Sequence, residues 1–200
     1  CEPLNSRNNF TTIYNGLDPV RARQEAARYT RESSRARLAI KDNEKVLLLL
    51  GTVCDRKGQA DLLGALKNLD EQPVNVALRC FIVGDRQSAY SARLHRELAA
   101  LSPALRARVH IVPETKDTAL YFSAADMFLC SSRVESYPRV ILEAMFYGLA
   151  IISTPVFGIS EQLNDRINAL FYSPGDTQML ASHIRLLLED PVLMKKLAVN

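Results

Sequence analysis

Short, continuous aliphatic runs alternate with segments of helical spacing along most of this chain, and this alternation limits the possible folds. Residues 45–50 form one such run, and Gly51 ends it. An aliphatic run without polar interruption is typical of a strand buried on both faces of a parallel sheet. Residues 59–69 then carry leucines at helical spacing, which predicts a helix packed against that sheet.

The same alternation continues to the end of the chain. It predicts further strands at residues 77–83, 109–112, 127–130, 150–153 and 169–172, and helices at residues 89–101, 118–125, 139–147, 160–163, 177–188 and from Pro191 onward. Regular βα alternation predicts an α/β fold, a doubly wound and mostly parallel sheet with right-handed crossovers. Ligands are expected at the carboxyl ends of its strands.

The first 38 residues are less regular. Residues 12–14 predict a short strand that ends in a turn at residues 15–19, and one basic helix is predicted from there to about residue 38. Six arginines cluster in this segment, but Glu25 and Glu32 interrupt them, so we interpret it as a solvated helix. Contact with an anionic membrane surface is an alternative. We assign residues 1–18 to an interdomain linker with the first short strand, and residues 19–200 to a single domain.

Composition excludes several classes of protein. The 200 residues, 48% of them hydrophobic, supply the core of one sizeable domain. A net charge of +3, without basic residues interleaved with aromatics, argues against a nucleic-acid groove. The four cysteines have no CxxC spacing and are interpreted as reduced residues, three of them in or beside strand-like runs, in a cytoplasmic protein. Peripheral contact with the inner face of the membrane stays an open alternative.

Several further signals are missing from the sequence. No apolar stretch approaches the roughly 20 residues of a spanning helix, and no signal peptide opens the chain. His95, His110 and His183 have no ligand spacing, so no metal is expected. Because the chain begins at Cys1 and stops inside a helical pattern, we interpret it as part of a longer polypeptide.

Two glutamates stand around the start of a predicted helix. Glu135 lies on the loop after the strand at residues 127–130, and Glu143 follows early in the helix that begins at Arg139. Unpaired amides and the positive end of the helix dipole converge at such a start, which makes it an anion-binding corner. This arrangement allows both glutamates to face one pocket. Two acids that stabilise the helix dipole are the alternative interpretation.

Two cations stand in the turn after the first aliphatic strand. Arg56 and Lys57 lie just before a predicted helix, where a phosphate would meet both side chains and the helix-start amides. The turn lacks GxGxxG and the Walker spacing, which argues against a dinucleotide or a P-loop nucleotide. Ordinary solvated charges are an alternative. After the next strand, Gly84 allows close approach of a ligand or of a neighbouring backbone, and a plain turn is the favoured interpretation there.

Electrostatics limits the kind of ligand that could bind the two cations and the two glutamates together. Two carboxylates repel a pyrophosphate by a few kcal/mol unless cations compensate. A carboxylate instead accepts two hydroxyl donors at once in short, strong hydrogen bonds. A ligand with a diphosphate for Arg56 and Lys57, and with diol-bearing rings for Glu135 and Glu143, is a nucleotide diphosphate sugar.

A series of motifs follows in order along nearly the whole chain. They are YNGLD at 14–18, GTVCDRKG at 51–58, IVGD at 82–85, YFSAAD at 121–126, the two glutamates with seven residues between them, AMFYG at 144–148, IIST at 151–154, Glu161, and PGD at 174–176. This ordered set resembles the C-terminal, donor-binding half of the retaining glycosyltransferases of family 4, which have the two-domain GT-B fold. The resemblance implies a Rossmann-like, nucleotide-sugar-binding domain at residues 19–200.

The resemblance also implies roles for individual residues. Glu135 is expected to contact the transferred sugar as the catalytic residue, and Glu143 to bind the ribose hydroxyls. Backbone amides near the helix start are expected to support the diphosphate, with Lys57 as its main cation; these amides belong to Ser136, Tyr137, Arg139 and Val140. Val112 and Pro113 are expected to border the base. The implied reaction is hexose transfer with retention to a glycan or lipid-linked acceptor, without a metal or other cofactor.

Two positions depart from the family pattern, and one domain is missing. Thr52 stands where an arginine is common, and Pro138 stands where a small residue often offers an amide that proline lacks. The resemblance implies an N-terminal acceptor domain as partner, so the isolated domain is expected to bind donor weakly and to turn over little. A nucleotide-sugar-binding or scaffold module without turnover, and a GT-B-like epimerase, remain alternatives. A phosphorylase is disfavoured because no lysine site for a covalent cofactor is evident.

Overall fold

Six parallel strands form one sheet in the computed structural model, which describes residues 11–71 and 74–199. The strands are β1 (Glu44–Leu50), β2 (Ala77–Asp85), β3 (Val109–Pro113), β4 (Met127–Cys130), β5 (Ala150–Ser153) and β6 (Ala169–Phe171). Their order across the sheet is β3-β2-β1-β4-β5-β6, and every neighbouring pair is parallel. This is the Rossmann order, in which the chain reverses its direction of winding between β1 and β4. The prediction of a doubly wound α/β sheet is confirmed.

Helices cover both faces of the sheet. They are α1 (Pro19–Ala26), α2 (Arg31–Arg37), α3 (Ala60–Asp70), α4 (Ala89–Ala99), α5 (Pro103–Arg106), α6 (Thr118–Ala124), α7 (Arg139–Phe146), α8 (Thr177–Glu189) and α9 (Pro191–Val199), with short 3₁₀ helices at Asp55–Lys57 and Phe157–Glu161. No helix of the described part of the chain is long and apolar enough to cross a membrane.

The uninterrupted aliphatic run of β1 is explained by two hydrophobic cores. Leu47 and Leu49 pack into one core with residues of α3 and α8. Val46 and Leu48 point to the opposite face and pack into the other core with residues of α6 and α7. Because successive side chains of a strand alternate between faces, a strand covered on both sides must be apolar at every position.

The beginning of the chain differs from the prediction. Residues 11–18 contain no strand, and Ile13 is 89% exposed, so the strand predicted at residues 12–14 is wrong. These residues pair with neither edge strand of the sheet, β3 or β6. The single basic helix predicted to about residue 38 is two helices, α1 and α2. Thr30 begins the second one, since its side-chain oxygen accepts a hydrogen bond from the amide of Ser33 at 3.1 Å.

The interpretation of the arginine-rich segment as a solvated helix is also wrong in part. Arg35 is only 8% exposed. Its guanidinium lies 3.6 Å from the buried carboxylate of Asp126, which also pairs with Arg31 at 2.7 Å and Lys45 at 3.5 Å. The same carboxylate accepts a hydrogen bond from the amide of Val46 at 2.8 Å. Asp126 therefore ties α2 to the beginning of β1 and β4.

Smaller differences concern short helices and cysteines. The helix predicted at residues 160–163 is the 3₁₀ helix Phe157–Glu161, and α5, which Ser102 caps, was not predicted. Cys80 and Cys130 are free and buried, as predicted for core residues, and burial raises the pKa of Cys80 to about 12. Cys1 lies outside the described residues.

Replacement of Asp126 tests its role as the link between α2 and the sheet. Asp126→Ala leaves the buried guanidinium of Arg35 without its carboxylate, and we expect the free energy of unfolding to fall by about 3 kcal/mol. Urea denaturation measures this change. The control is Asp42→Ala, an exposed aspartate, with an expected change below about 0.5 kcal/mol. Equal effects of the two variants would contradict the role given to Asp126.

Candidate functional site

The candidate site lies at the carboxyl ends of β1 and β4, which are neighbours at the reversal point of the sheet. The 3₁₀ helix Asp55–Lys57 follows β1, and the loop at residues 131–138 follows β4 and leads into α7. In open parallel sheets the crevice at this point is where ligands bind, because the following segments diverge to opposite faces. The two motifs that the sequence singled out therefore meet at the expected edge.

The carboxylate of Glu135 is the centre of this site. It is buried, with 8% of the residue exposed, and its Oε1 atom forms an ion pair with Lys57. The same oxygen lies 3.0 Å from Nη1 of Arg56 and accepts a hydrogen bond from the hydroxyl of Ser132, also at 3.0 Å. Burial by itself raises the pKa of Glu135. The hydrogen bond and charge of Lys57, with help from Ser132 and Arg56, outweigh burial and hold this pKa below its ordinary value.

The two loops are also joined through their backbones. The amide of Arg133 donates to the carbonyl of Arg56 at 2.7 Å, and the hydroxyl of Ser131 donates to the carbonyl of Lys57 at 2.8 Å. Gly58 has a φ of +62°, and a Cβ there would lie 2.3 Å from the carbonyl oxygen of Ser131. Only glycine fits this position, since it accepts the left-handed conformation and leaves room for the other loop. Lys57 and Glu135 are thus parts of one rigid unit.

Five of the eight backbone carbonyls of the loop at residues 131–138 accept hydrogen bonds from elsewhere in the domain. The donors are Thr154 Oγ1 to Ser132 O at 2.6 Å, Arg56 Nη1 to Val134 O at 2.8 Å, Gly158 N to Glu135 O at 3.3 Å, Asn15 Nδ2 to Tyr137 O at 3.1 Å and Gln162 Nε2 to Pro138 O at 3.2 Å. By contrast, the amides of Ser136, Tyr137, Arg139 and Val140 donate to no acceptor among the described residues. The loop therefore presents unpaired N–H groups at the start of α7.

Glu143 lies elsewhere. It stands on the second turn of α7, with 27% of its side chain exposed, and lines a cavity of about 410 Å³ together with Glu25, Lys116 and Arg139. Burial raises the pKa of Glu143, and the charge of Glu25 adds to this, while the guanidinium of Arg139, 4.0 Å away, acts in the opposite direction. Glu135 does not line this cavity. Glu135 and Glu143 therefore do not border the same cavity, and the expectation that both face one ligand stays a prediction.

The other residues predicted for the site lie near the carboxyl ends of β2 and β3. Gly84 has a φ of +122°, and a Cβ there would lie 2.3 Å from the carbonyl oxygen of Gly51, so the close approach is that of a neighbouring backbone. Val112 is half-buried and Pro113 is exposed at the end of β3, and neither lines the cavity of Glu143. Lys116, farther along the same connection, does line it.

Sequence reasoning missed residues that hold the loop in place. Thr154 and Ser132 were not singled out, although Thr154 belongs to a motif that carried the resemblance. Gly158 was also missed, and a Cβ at this position would lie 1.3 Å from the carbonyl oxygen of Ser136. A lone glycine shortly after a strand is the only signal in the sequence, and it does not identify the partner. Pro138 has no backbone N–H to donate, but its carbonyl oxygen accepts a hydrogen bond from the side-chain amide of Gln162.

The described residues offer no evident metal site. Within residues 11–71 and 74–199, no three or more His, Cys, Asp or Glu side chains are grouped so that they could hold a metal ion. The expectation that donor binding needs no metal stays a prediction.

The chain matches a known protein family. The family model described as glycosyl transferases group 1 matches residues 30–200. The chain belongs to this family. Lipopolysaccharide glucosyltransferase WaaG of Escherichia coli K12 is 29% identical over 156 residues, which cover 78% of this chain and 40% of WaaG.

Solved structures of other proteins agree with the fold. A structure of WaaG superposes with a TM-score of 0.79 at 26% identity and covers 96% of this chain and 51% of that one. HepE of Anabaena, in complex with UDP and glucose, gives a TM-score of 0.77 at 26% identity and covers 94% and 50%. The C-terminal domain of LpcC from Francisella tularensis has the same fold, with a TM-score of 0.73, 21% identity and coverage of 92% and 94%.

These matches define the fold and its extent. The chain spans about half the length, or less, of WaaG and HepE. Its fold is the Rossmann-like, donor-binding half of a GT-B glycosyltransferase, as the resemblance implied.

Replacement of Gly158 tests the packing of the Glu135 loop. The added methyl group of Gly158→Ala would overlap a backbone carbonyl that cannot turn aside, and we expect the free energy of unfolding to fall by about 3 kcal/mol. The control is Gly16→Ala, since a Cβ at Gly16 has nothing within 4 Å and should cost less than about 0.5 kcal/mol. Thermal and urea denaturation report both values. A fully stable Gly158→Ala variant would show that the contact with Ser136 yields easily.

Proposed function

We propose that this chain is the donor-binding domain of a retaining glycosyltransferase that transfers a hexose from a nucleotide diphosphate sugar to a glycan or lipid-linked acceptor. One observation carries the proposal: unpaired amides at the start of α7 stand in the loop that also holds Glu135, Arg56 and Lys57 together. An amide without a protein acceptor is a group that a ligand can satisfy. Membership in the group 1 family supports the same class of reaction.

The charges around the loop suit a diphosphate. Arg56 and Lys57 share the single carboxylate of Glu135, which leaves one unit of positive charge, and Arg139 at the start of α7 is paired with Glu143 at 4.0 Å. The diphosphate of a nucleotide sugar carries two negative charges, and the site offsets one of them. The amides and the dipole of α7 add directional donors for the phosphate oxygens. In this proposal Lys57 turns from Glu135 to the diphosphate when the donor binds.

The two glutamates suit different hydroxyl groups. Oε1 of Glu135 accepts hydrogen bonds from Lys57 and Ser132 and forms an ion pair with Arg56, whereas Oε2 accepts no hydrogen bond from the described residues and is available to the transferred sugar. Because its pKa is low, Glu135 stays ionised and accepts hydroxyl donors at neutral pH. Glu143 borders a cavity of about 410 Å³, within the usual size range of ligand sites, and is the acceptor that we assign to the ribose.

The chemistry assigned to the site is stabilisation of the leaving group. Negative charge develops on the diphosphate as the bond to the sugar breaks, and preorganised amides with Lys57 stabilise it more strongly than water would. HepE was solved with UDP and with UDP-glucose, which supports a nucleotide diphosphate sugar as the donor class. We assign the acceptor site and the closure of the cleft to an N-terminal domain, so the isolated chain should bind donor and turn over little.

Calorimetry with uridine, guanosine and adenosine diphosphate sugars tests the proposal directly. We expect at least one of them to bind, and Lys57→Ala to weaken this binding about tenfold while the matching nucleoside binds as before. The control variant is Lys67→Ala, which changes an exposed lysine of α3. Absence of binding to every donor would reject the donor-binding role, and equal effects of the two lysine variants would reject the assignment of Lys57.

Glu143→Gln is expected to raise the stability of the domain and to weaken nucleotide binding at pH 7. Since the pKa of Glu143 is raised in the folded protein, its contribution to stability is complete below the ordinary pKa of 4.5 and is lost as pH rises through the raised value. Glutamine stays neutral, so we expect the melting temperature of Glu143→Gln to exceed that of the native protein at pH 7 but not at pH 4. Nucleotide affinity should fall at pH 7.

The comparison variant for this test is Glu114→Gln. Glu114 is paired with Arg86, whose hydrogen bond lowers the pKa of this exposed carboxyl group. Its amide variant should therefore show no gain in melting temperature at pH 7. A gain in both variants, or in neither, would contradict the burial assigned to Glu143.

A further inference from the structure

The segment before α1 reaches across the domain to the Glu135 loop. Nδ2 of Asn15 donates a hydrogen bond to the carbonyl of Tyr137 at 3.1 Å, across a separation of 122 residues. The ring of Tyr14 lies on the ring of Tyr137, with 4.8 Å between centroids and 31° between planes. A hydrogen bond to Glu161 raises the pKa of the Tyr14 hydroxyl, which links this side chain to the neighbouring 3₁₀ helix as well.

These contacts are not by-products of core packing. Residues 11–18 contain no helix or strand, Ile13 is 89% exposed and Tyr14 is 54% exposed. At the other end of the segment, Asp18 caps α1 by accepting hydrogen bonds from the amides of Val20 at 2.9 Å and Arg21 at 3.1 Å. The segment is therefore fixed at α1 on one side and at Tyr137 on the other.

Tyr137 is a position where such a contact matters. Its amide is one of those without an acceptor, and Pro138 restricts its backbone to the extended region. The proline ring also restricts rotation of the peptide group between Tyr137 and Pro138, and the hydrogen bond from Asn15 to the Tyr137 carbonyl adds a second restraint on this group. The ring contact with Tyr14 holds the side chain of the same residue, so both backbone and side chain of Tyr137 are braced from one segment.

We propose that Tyr14 and Asn15 are positioning residues for donor binding, which hold Tyr137 so that the unpaired amides at the start of α7 face the diphosphate. This inference rests on the proposed function. Neither residue touches the diphosphate in this proposal; both act through Tyr137. Conformational change in the segment before α1 is thereby transmitted to the affinity for the donor.

The test compares diphosphates with nucleosides on the 200-residue chain. Calorimetry measures the binding of UDP, GDP and ADP, each beside uridine, guanosine and adenosine, to the native chain and to Asn15→Ala. We expect Asn15→Ala to weaken the bound nucleoside diphosphate about fivefold, the effect of one hydrogen bond, and to leave the matching nucleoside unchanged. The melting temperature should stay the same, because Asn15 is exposed and holds no helix or strand.

Variants of Tyr14 and Thr12 test the ring contact with Tyr137 separately from the hydrogen bond of Asn15. Tyr14→Ala removes the ring and should weaken the diphosphate as Asn15→Ala does, whereas Tyr14→Phe keeps the ring contact and should restore native affinity. Thr12→Ala, an exposed residue of the same segment, is the matched control and should bind like the native chain.

The outcomes distinguish this inference from the function on which it rests. A native chain that binds none of the diphosphates overturns the proposed function and the positioning role together. A native chain that binds, with Asn15→Ala binding equally well, overturns the positioning role alone. Equal loss for nucleoside and diphosphate also overturns it, because a general structural defect would weaken both.

Discussion

Lys57 and Glu135 are 78 residues apart in the chain, and their ion pair joins the loops that follow two different strands. Removing a carboxylate from water is unfavourable unless cations and hydrogen bonds replace the water, and here Lys57, Arg56 and Ser132 do so on a single oxygen. The position of the Glu135 loop is therefore coupled to the charge of the Lys57 loop. The unpaired amides at the start of α7 are placed by the same contact.

In the rest of the loop, several carbonyl groups accept hydrogen bonds from other parts of the domain, whereas several amides have no acceptor among the described residues. Thr154, Gln162 and Asn15, which are distant in the chain, donate hydrogen bonds to carbonyls of the loop. These hydrogen bonds restrict rotation of the loop backbone. These contacts hold the direction of amides that have no acceptor within the described chain. Such preorganised donors stabilise developing charge better than donors that must first be oriented, which is consistent with the chemistry that we assign to the site.

The sequence predicted those features that depend on neighbours in the chain or on a repeated pattern. The aliphatic run of β1 predicted a strand covered on both faces, and the meeting of Lys57 with Glu135 followed from the common edge of parallel strands. Contacts that depend on three-dimensional packing could not be predicted in this way. The burial of Arg35 against Asp126 is one example, and the close approach of Gly158 to the carbonyl oxygen of Ser136 is another. The pattern at residues 12–14 resembled a strand, but strand formation requires an edge that the pattern does not reveal.

The topology of the sheet explains why these groups meet at all. After β1 the chain passes to α3, whose leucines pack into one core, and after β4 it passes to α7, whose apolar face packs into the other. Because β1 and β4 are neighbours, the two connections start side by side and then diverge, and no crossing helix fills the space between them. The turn that carries Arg56 and Lys57 and the loop that carries Glu135 begin there and face each other across a crevice. The ion pair between Lys57 and Glu135 spans that crevice, and in the proposed function the negatively charged diphosphate takes the place of the carboxylate at Lys57.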